Sequence, residues 1–381
     1  MTQQCIIQVL PALQQGGVER GTVEIAAALQ AAGIRNYVVS NGGKMVPELT
    51  ALGVEHIQMP VHTKNPILIL INAIRLARLF RRLGATLIHV RSRAPAWSVR
   101  WACCWTKIPF IATYHGRYGT HPAWLKKPYN RVMLKGKKVI AVSEFVKKHL
   151  QDEYGVSDDH IRLIHRGADI DRFNPDTLSP DRVQALADTY DVPRDKPIIA
   201  LVGRLSRIKG HTVFLQALQQ MRHKKITVLF VGGNPKGDYE TELQTLLDAL
   251  PKETTVRLFG VSGDEIPVVY ALSDICVQPS LVPETFGRTM AEAQAMGKVV
   301  VAFAHGGACE LIQDGQTGFL TPVGDAAALA KTLDRVLDMS PADRTALGQR
   351  AQRSVREYFS IRKMCERTLA LYQELATEQK H

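Results

Sequence analysis

The 381-residue chain predicts an α/β protein of two doubly wound domains facing a cleft. Three observations carry this expectation. Short apolar runs alternate with amphipathic helical patterns in both halves of the chain. A stretch rich in Asp and Pro separates the halves. Glycines recur where the apolar runs end.

The apolar runs come in order. In the first half they are 5–10, 36–40, 86–90, 110–114 and 138–142. In the second half they are 198–202, 227–231, 256–259, 275–278 and 299–303. Helical periodicity lies between most of them, for example at 19–32 and 213–221. Strands that alternate with helices imply parallel sheets with crossover helices. The linker is read at 169–180, DIDRFNPDTLSP. The domains are then 1–172, 173–360 and a helical tail, 361–381, packing back toward the first domain. In such sheets ligands sit beyond the carboxyl ends of the strands, so the residues after each strand are the ones to inspect.

Composition narrows the function. Hydrophobic residues make up 45% and charged residues 22%, as in ordinary globular proteins. Collagen, a disordered tail and a small disulfide scaffold are excluded. The apolar stretch 66–73 is broken by Asn72 and falls well short of the ~20 residues a spanning helix needs. The N-terminus, MTQQCIIQVLP, reads as a first strand and not as a signal peptide. Six scattered cysteines, with no CxxC pair, read as reduced thiols of a cytoplasmic protein without a structural metal.

Charge is uneven. The net charge is +12, but residues 1–174 hold 24 basic and 11 acidic residues, while residues 175–381 hold 24 and 25. The first half should therefore meet something anionic: lipid headgroups, nucleic acid or a phosphorylated substrate. Two segments concentrate the excess. In 72–84, Ile74, Leu76, Ala77, Leu79, Phe80 and Leu83 repeat at helical spacing between four arginines, which reads as a solvated helix packing on a sheet. In 117–138, Arg117, Trp124, Lys126, Lys127 and Arg131 lie among apolar residues, which reads as membrane or acceptor contact. No zinc knuckle, helix-turn-helix or aromatic RNP pattern supports nucleic acid as the partner.

The loops after the strands converge on a diphosphate ligand. Gly16-Gly17 precedes the first helix, where backbone can approach an anion. GxGxxG before a helix and GxxxxGK[ST] are both absent, against a dinucleotide dehydrogenase and a P-loop enzyme. After 198–202 come Arg204 and Lys209, two cations five apart that suit a phosphate clamp. Gly232-Gly233 and Gly260 follow the next two strands. In 283–293 two carboxylates, Glu284 and Glu292, flank a glycine loop that leads into a helix. Carboxylates accept from vicinal hydroxyls, and the loop amides at Phe286 and Gly287 can donate to sugar or phosphate. That combination suits a sugar nucleotide.

Residues 283–292 resemble the E-x7-E signature of the retaining glycosyltransferases of family four, which have the GT-B fold of two Rossmann-like domains. The likeness extends over GGVERG, TYHG, VSEFVKKHL, VGRLSRIKGH, EAQAMGKVVVA, HGGACELI and DGQTGFL, nearly the whole chain. The resemblance implies roles residue by residue. Glu284 contacts the donor sugar and supports the reacting centre, and Glu292 binds the donor ribose. Arg204 and Lys209 neutralise the diphosphate in place of a metal ion. Thr285, Phe286 and Gly287 supply backbone donors, with Gly233 and Gly260 beside them. Gly17 closes over the diphosphate. His115 lies near the sugar and the acceptor. Two departures stand out: Arg166 replaces the Asn often found before Gly167, and Val299 replaces a frequent Pro.

The expected function is retaining, metal-independent transfer from a nucleotide sugar, with no other cofactor. The acceptor is read as a membrane-associated glycolipid, lipopolysaccharide core or a similar bacterial envelope glycan, because the basic half of this fold holds the acceptor. The enzyme would sit in the cytoplasm on the inner face of the membrane. A soluble acceptor is the alternative, and a non-transferring sugar-nucleotide epimerase a remote one. His62, His89, His121 and His165 are read as structural, and Glu310 as structural or supporting, with donor contact as its alternative.

Overall fold

A computed structural model describes residues 4–14, 16–118, 123–233 and 237–378, with residues 123–125 described by backbone alone. The chain divides into two compact units, residues 1–166 with 362–381 and residues 167–361.

In the first unit seven strands are described: β1 (Cys5–Val9), β2 (Arg35–Ser40), β3 (Glu55–Gln58), β4 (Leu87–Val90), β5 (Phe110–Tyr114), β6 (Val139–Ala141) and β7 (Ile161–Leu163). They form one sheet in the order β3-β2-β1-β4-β5-β6-β7. Every pairing is parallel. β1, β4, β5 and β6 are buried at every position, as strands covered by helices on both faces must be. The order reverses between β1 and β4, which places a ligand crevice beyond their carboxyl ends.

Helix ends in this unit follow local chemistry. The helix Pro66–Leu83 starts at Asn65, whose side chain accepts from the amides of Ile67 (2.9 Å) and Leu68 (3.3 Å). Pro66 sits where its missing amide costs nothing. Gly84 ends the helix in the left-handed region, φ +62°. The packed face carries Ile69, Asn72, Ala73, Leu76, Ala77, Leu79 and Phe80. Ile74, read from periodicity as part of that face, is exposed instead. Asn72 is inside because its amide donates to Pro60 O at 2.9 Å. The last helix, Ile361–Glu378, brings Tyr372 into the first unit. There buried His89 bridges the Tyr372 and Thr113 hydroxyls at 2.6 Å each.

The second unit has β8 (Ile198–Val202), β9 (Thr227–Val231), β10 (Thr255–Phe259), β11 (Ile275–Gln278), β12 (Val299–Phe303) and β13 (Phe319–Thr321). Their order is β10-β9-β8-β11-β12-β13, again all parallel. The reversal falls between β8 and β11. β5, β8, β9, β11 and β12 coincide with the apolar runs. The strands not read from sequence, β3, β7 and β13, are sheet edges of three or four residues. Edge strands bury less, so their apolar signal is weak. Among the described residues, no helix is long and apolar enough to cross a membrane.

Glycine fixes how closely the loops of the second unit approach. Gly210 (φ +74°) packs so tightly that an added Cβ would lie 1.8 Å from Pro279 O, after β11. Among the described residues, nothing lies within 4 Å of a Cβ added at Gly233 (φ +86°). Gly233→Ala should cost about 1–2 kcal/mol, the backbone term alone. Gly210→Ala should cost about 1–3 kcal/mol more, from the added overlap. Urea midpoints of the two variants measure the difference, and equal midpoints would show that the close approach is not needed.

Candidate active site

The site in the second unit is built at the carboxyl ends of β8 and β11. β8 leads to Gly203 and Arg204, then to a short 3-10 turn, Arg207–Lys209. β11 leads through Gln278 and Ser280 to Glu284. The two loops meet in an ion pair between Lys209 Nζ and Glu284 Oε1. The same oxygen accepts from Gln278 Nε2 at 2.9 Å and Ser280 Oγ at 3.0 Å. Burial pushes the Glu284 carboxyl up. The charge of Lys209 and the hydrogen bonds from Lys209, Ser280 and Gln278 outweigh it, so the group is held below the usual carboxylate range.

A third loop holds the backbone that carries this carboxylate. His305 Nε2 donates to Ser280 O at 2.7 Å, and Gly307 N donates to Glu284 O at 2.7 Å. Side chains at Gly306 and Gly307 would overlap the carbonyls of Glu284 and Phe286. Gln278, Ser280 and His305 escaped the sequence reading. The polar end of an otherwise apolar strand was the available signal for Gln278.

The remaining expected donor residues lie around these loops. Arg204 is exposed, and no ion pair holds it among the described residues. Gly260 abuts Gly233: a Cβ on Gly260 would lie 3.5 Å from Gly233 N and Cα. Thr285 is half-buried. The Phe286 side chain is buried in the core beside Phe359, so this residue has only backbone to offer a ligand. Gly287 caps the helix Arg288–Ala295 in the left-handed region, φ +93°. Glu292, in that helix, is buried and accepts from Arg288 Nη2 at 3.2 Å. Burial dominates there and raises its pKa, against Arg288. No direct contact joins Glu292 to the Lys209–Glu284 pair among the described residues.

The first unit gathers a second set of groups at the carboxyl ends of β4, β5 and β7. Arg91, His115 and Arg166 line a cavity of about 10 Å³, room for one water centre, together with Thr113, Met364 and Thr368. Arg91 and Arg166 are both buried, and Glu24 lies 4.0 Å from Arg166. Arg166 Nη1 donates to Gly17 O at 2.5 Å, tying the segment after β7 to the first residue of the helix Gly17–Ala31. Gly21 leaves room for both guanidiniums, since a Cβ there would lie 2.9 Å from Arg91 Nη2. His115 Nε2 is enclosed with no partner. Burial, then Arg91, Arg166 and His89, hold His115 well below the ordinary histidine pKa, so it is neutral at pH 7. Arg91 was not singled out from sequence. Its place just after β4, at the reversal of strand order, was the signal.

Of the predicted acceptor cations, Arg117, Lys126 and Arg131 are exposed, and Lys127 pairs with Glu153 at 2.9 Å. Val132 and Met133 of the same stretch are in the core. The Trp124 side chain and His121 lie outside the described residues.

Known proteins resemble this chain in sequence and fold. Residues 184–354 match the family model described as glycosyl transferases group 1, and residues 15–172 match that of glycosyltransferase family 4. A crystal structure of a glycosyltransferase from Rickettsia africae is 38% identical, with a TM-score of 0.90, over 98% of this chain and 99% of that one. The chain belongs to the family 4 glycosyltransferases. A D-inositol 3-phosphate glycosyltransferase of Salinispora arenicola is 31% identical over 58% of this chain and 52% of its own length. The chain thus spans about half the length of such curated relatives. Anabaena HepE in complex with UDP and glucose shares the fold, with a TM-score of 0.78 at 22% identity, over 97% and 99% of the two chains. The two doubly wound sheets are those of the GT-B architecture.

The raised pKa of Glu292 gives a pH test. A carboxyl whose folded pKa lies above its unfolded value of 4.5 adds stability below that value and loses it as pH rises. Ionised Glu292 therefore weighs against the fold at neutral pH. Glu292→Gln should raise Tm at pH 7, and the gain should vanish below pH 4.5. Thermal melts across that range check it; a lower Tm for the variant at pH 7 would contradict the assignment.

Proposed function

We propose that this protein transfers a glycosyl group, with retention, from a nucleoside-diphosphate sugar to a membrane-associated glycolipid. Lipopolysaccharide core or a similar envelope glycan is the acceptor class, and the enzyme works on the inner face of the cytoplasmic membrane. The observation that carries the donor reading is the Lys209–Glu284 pair at the β8/β11 reversal, with exposed Arg204 on the same loop.

The chemistry follows from those groups. Breaking the bond between sugar and diphosphate leaves negative charge on the phosphate oxygens. Arg204 and Lys209 stabilise it as it develops, together with amides at the start of the helix Arg288–Ala295. Glu284 is kept ionised and accepts from the sugar hydroxyls. Glu292 accepts from the ribose. The sugar becomes oxocarbenium-like while the acceptor attacks the face the diphosphate leaves, and the leaving phosphate takes the acceptor proton. The cation pair does the neutralising, so no metal is invoked. Neutral His115 offers a hydrogen bond without adding charge.

The excess of basic over acidic residues in positions 1–174 supports the lipid-linked acceptor, with Arg117, Lys126, Lys127 and Arg131 facing its anionic groups. A soluble phosphorylated acceptor is the second reading, favoured by the likeness to D-inositol 3-phosphate glycosyltransferases.

Thermal shift against UDP-, GDP- and ADP-sugars tests the donor site. One nucleotide at about 100 times its Kd should add about 2.7 kcal/mol to the wild type. Lys209→Ala should abolish that gain and lower kcat by roughly 10²–10³. Proton NMR of the product should show the donor's anomeric configuration kept. Binding of no sugar nucleotide, or an inverted product, would overturn the proposal.

A further inference from the structure

A surface of the first unit carries more apolar area than a soluble face needs. On the helix Pro66–Leu83, Ile67 is 69% exposed, and Leu68, Leu70, Ile71 and Ile74 are 37–42% exposed. Trp105, on the helix Arg93–Thr106 packed against it, is 45% exposed. All the strongly exposed large apolar side chains described in the first unit lie on these two helices. The packed face of Pro66–Leu83 is already complete without them. Ile67, Leu70, Ile71 and Ile74 follow helical spacing and so form one stripe.

The stripe continues into cations. Arg75, Arg78, Arg81 and Arg82 are exposed along the second half of the same helix. None has an ion pair among the described residues, and Arg81 Nη2 donates to Trp105 O at 2.9 Å. Acid is missing from the whole neighbourhood in sequence: from His56 to Ser143 there is no Asp or Glu, against 16 Lys and Arg. An exposed apolar stripe flanked by arginines and a tryptophan has the make-up of an interfacial helix.

Resting on the lipid-linked acceptor proposed above, we infer that the outer face of the helix Pro66–Leu83 docks on an anionic lipid surface. Charge decides between occupants. A second copy of this face would bring arginines to arginines with no carboxylate between them, whereas anionic headgroups supply the missing charge. Position fits as well. Asn72 is bonded to Pro60, just after β3, and the helix ends near the start of β4. Its apolar half therefore points to the carboxyl ends of the first sheet, the end that carries Arg91 and His115.

The test is co-sedimentation of the full chain with phosphatidylcholine vesicles, alone or mixed with phosphatidylglycerol. Wild type should bind the mixed vesicles, less so at high salt. Ile67→Asp with Ile71→Asp should weaken binding by at least about tenfold. Arg75→Glu with Arg78→Glu should do so by a similar factor. Unchanged Tm and donor affinity in both variants establish that they fold. Retained binding in both, with loss in Lys126→Glu with Arg131→Glu, would overturn this surface and leave the membrane reading intact. No wild-type binding to either vesicle would overturn both, while donor binding would still stand. A wild-type dimer that the Ile variants split into monomers would replace the lipid by a second copy.

Discussion

Opposite charges, half-buried in the loops that follow two neighbouring strands, organise the second unit. Lys209 and Glu284 arrive from different loops, and each would be costly to enclose alone. Their pairing is feasible because Gln278 and Ser280 fill the remaining valences of the carboxylate oxygen. The rest of the site follows from keeping that pair in place. Gly210 lets the cation loop lie against Pro279, and Gly306 and Gly307 let a third loop bond to the backbone of Glu284. Two carboxylates eight residues apart are shifted in opposite directions: a cation and two donors lower the pKa of Glu284, whereas burial raises that of Glu292 against the pull of Arg288. Sharing a motif does not give them a common electrostatic environment.

The first unit treats its charges differently. Its buried arginines outnumber the nearby carboxylate: Arg91 and Arg166 share Glu24. Their field, added to burial, keeps His115 neutral. Arg166 also anchors the carbonyl of Gly17, so the residue that departs from the family's usual Asn has a visible structural task.

Much of this was legible before any coordinates. Runs such as 198–202 and 299–303 are apolar at every position because helices cover both faces, and their bounds could be read directly. β3, β7 and β13 have no such pattern, being short edges. Lys209 and Glu284 could each be placed after a strand. Their contact depends on β8 and β11 being neighbours across a reversal of order, a tertiary fact that local spacing does not contain. Periodicity misassigned Ile74 for a related reason. Asn72 takes an inner position through one hydrogen bond from its amide nitrogen, and a polarity pattern cannot anticipate that bond. Arg91 was passed over because a cation after a strand looks solvated until the helix over it is known.

The division of the chain has a consequence for its synthesis. The first unit begins at the N-terminus but draws residues 362–381 from the far end, with all of 167–361 between. Tyr372, which closes the core over His89, is thus separated from its partner by the whole second unit. At the ribosome, some 195 residues must emerge first, roughly 10–40 s of elongation. During that interval the nascent first unit lacks a helix, while the second can complete itself. A nascent chain of this kind is exposed to chaperones and proteases at its N-terminal end for longer than at its middle, and truncation at the C-terminus would injure the unit made first.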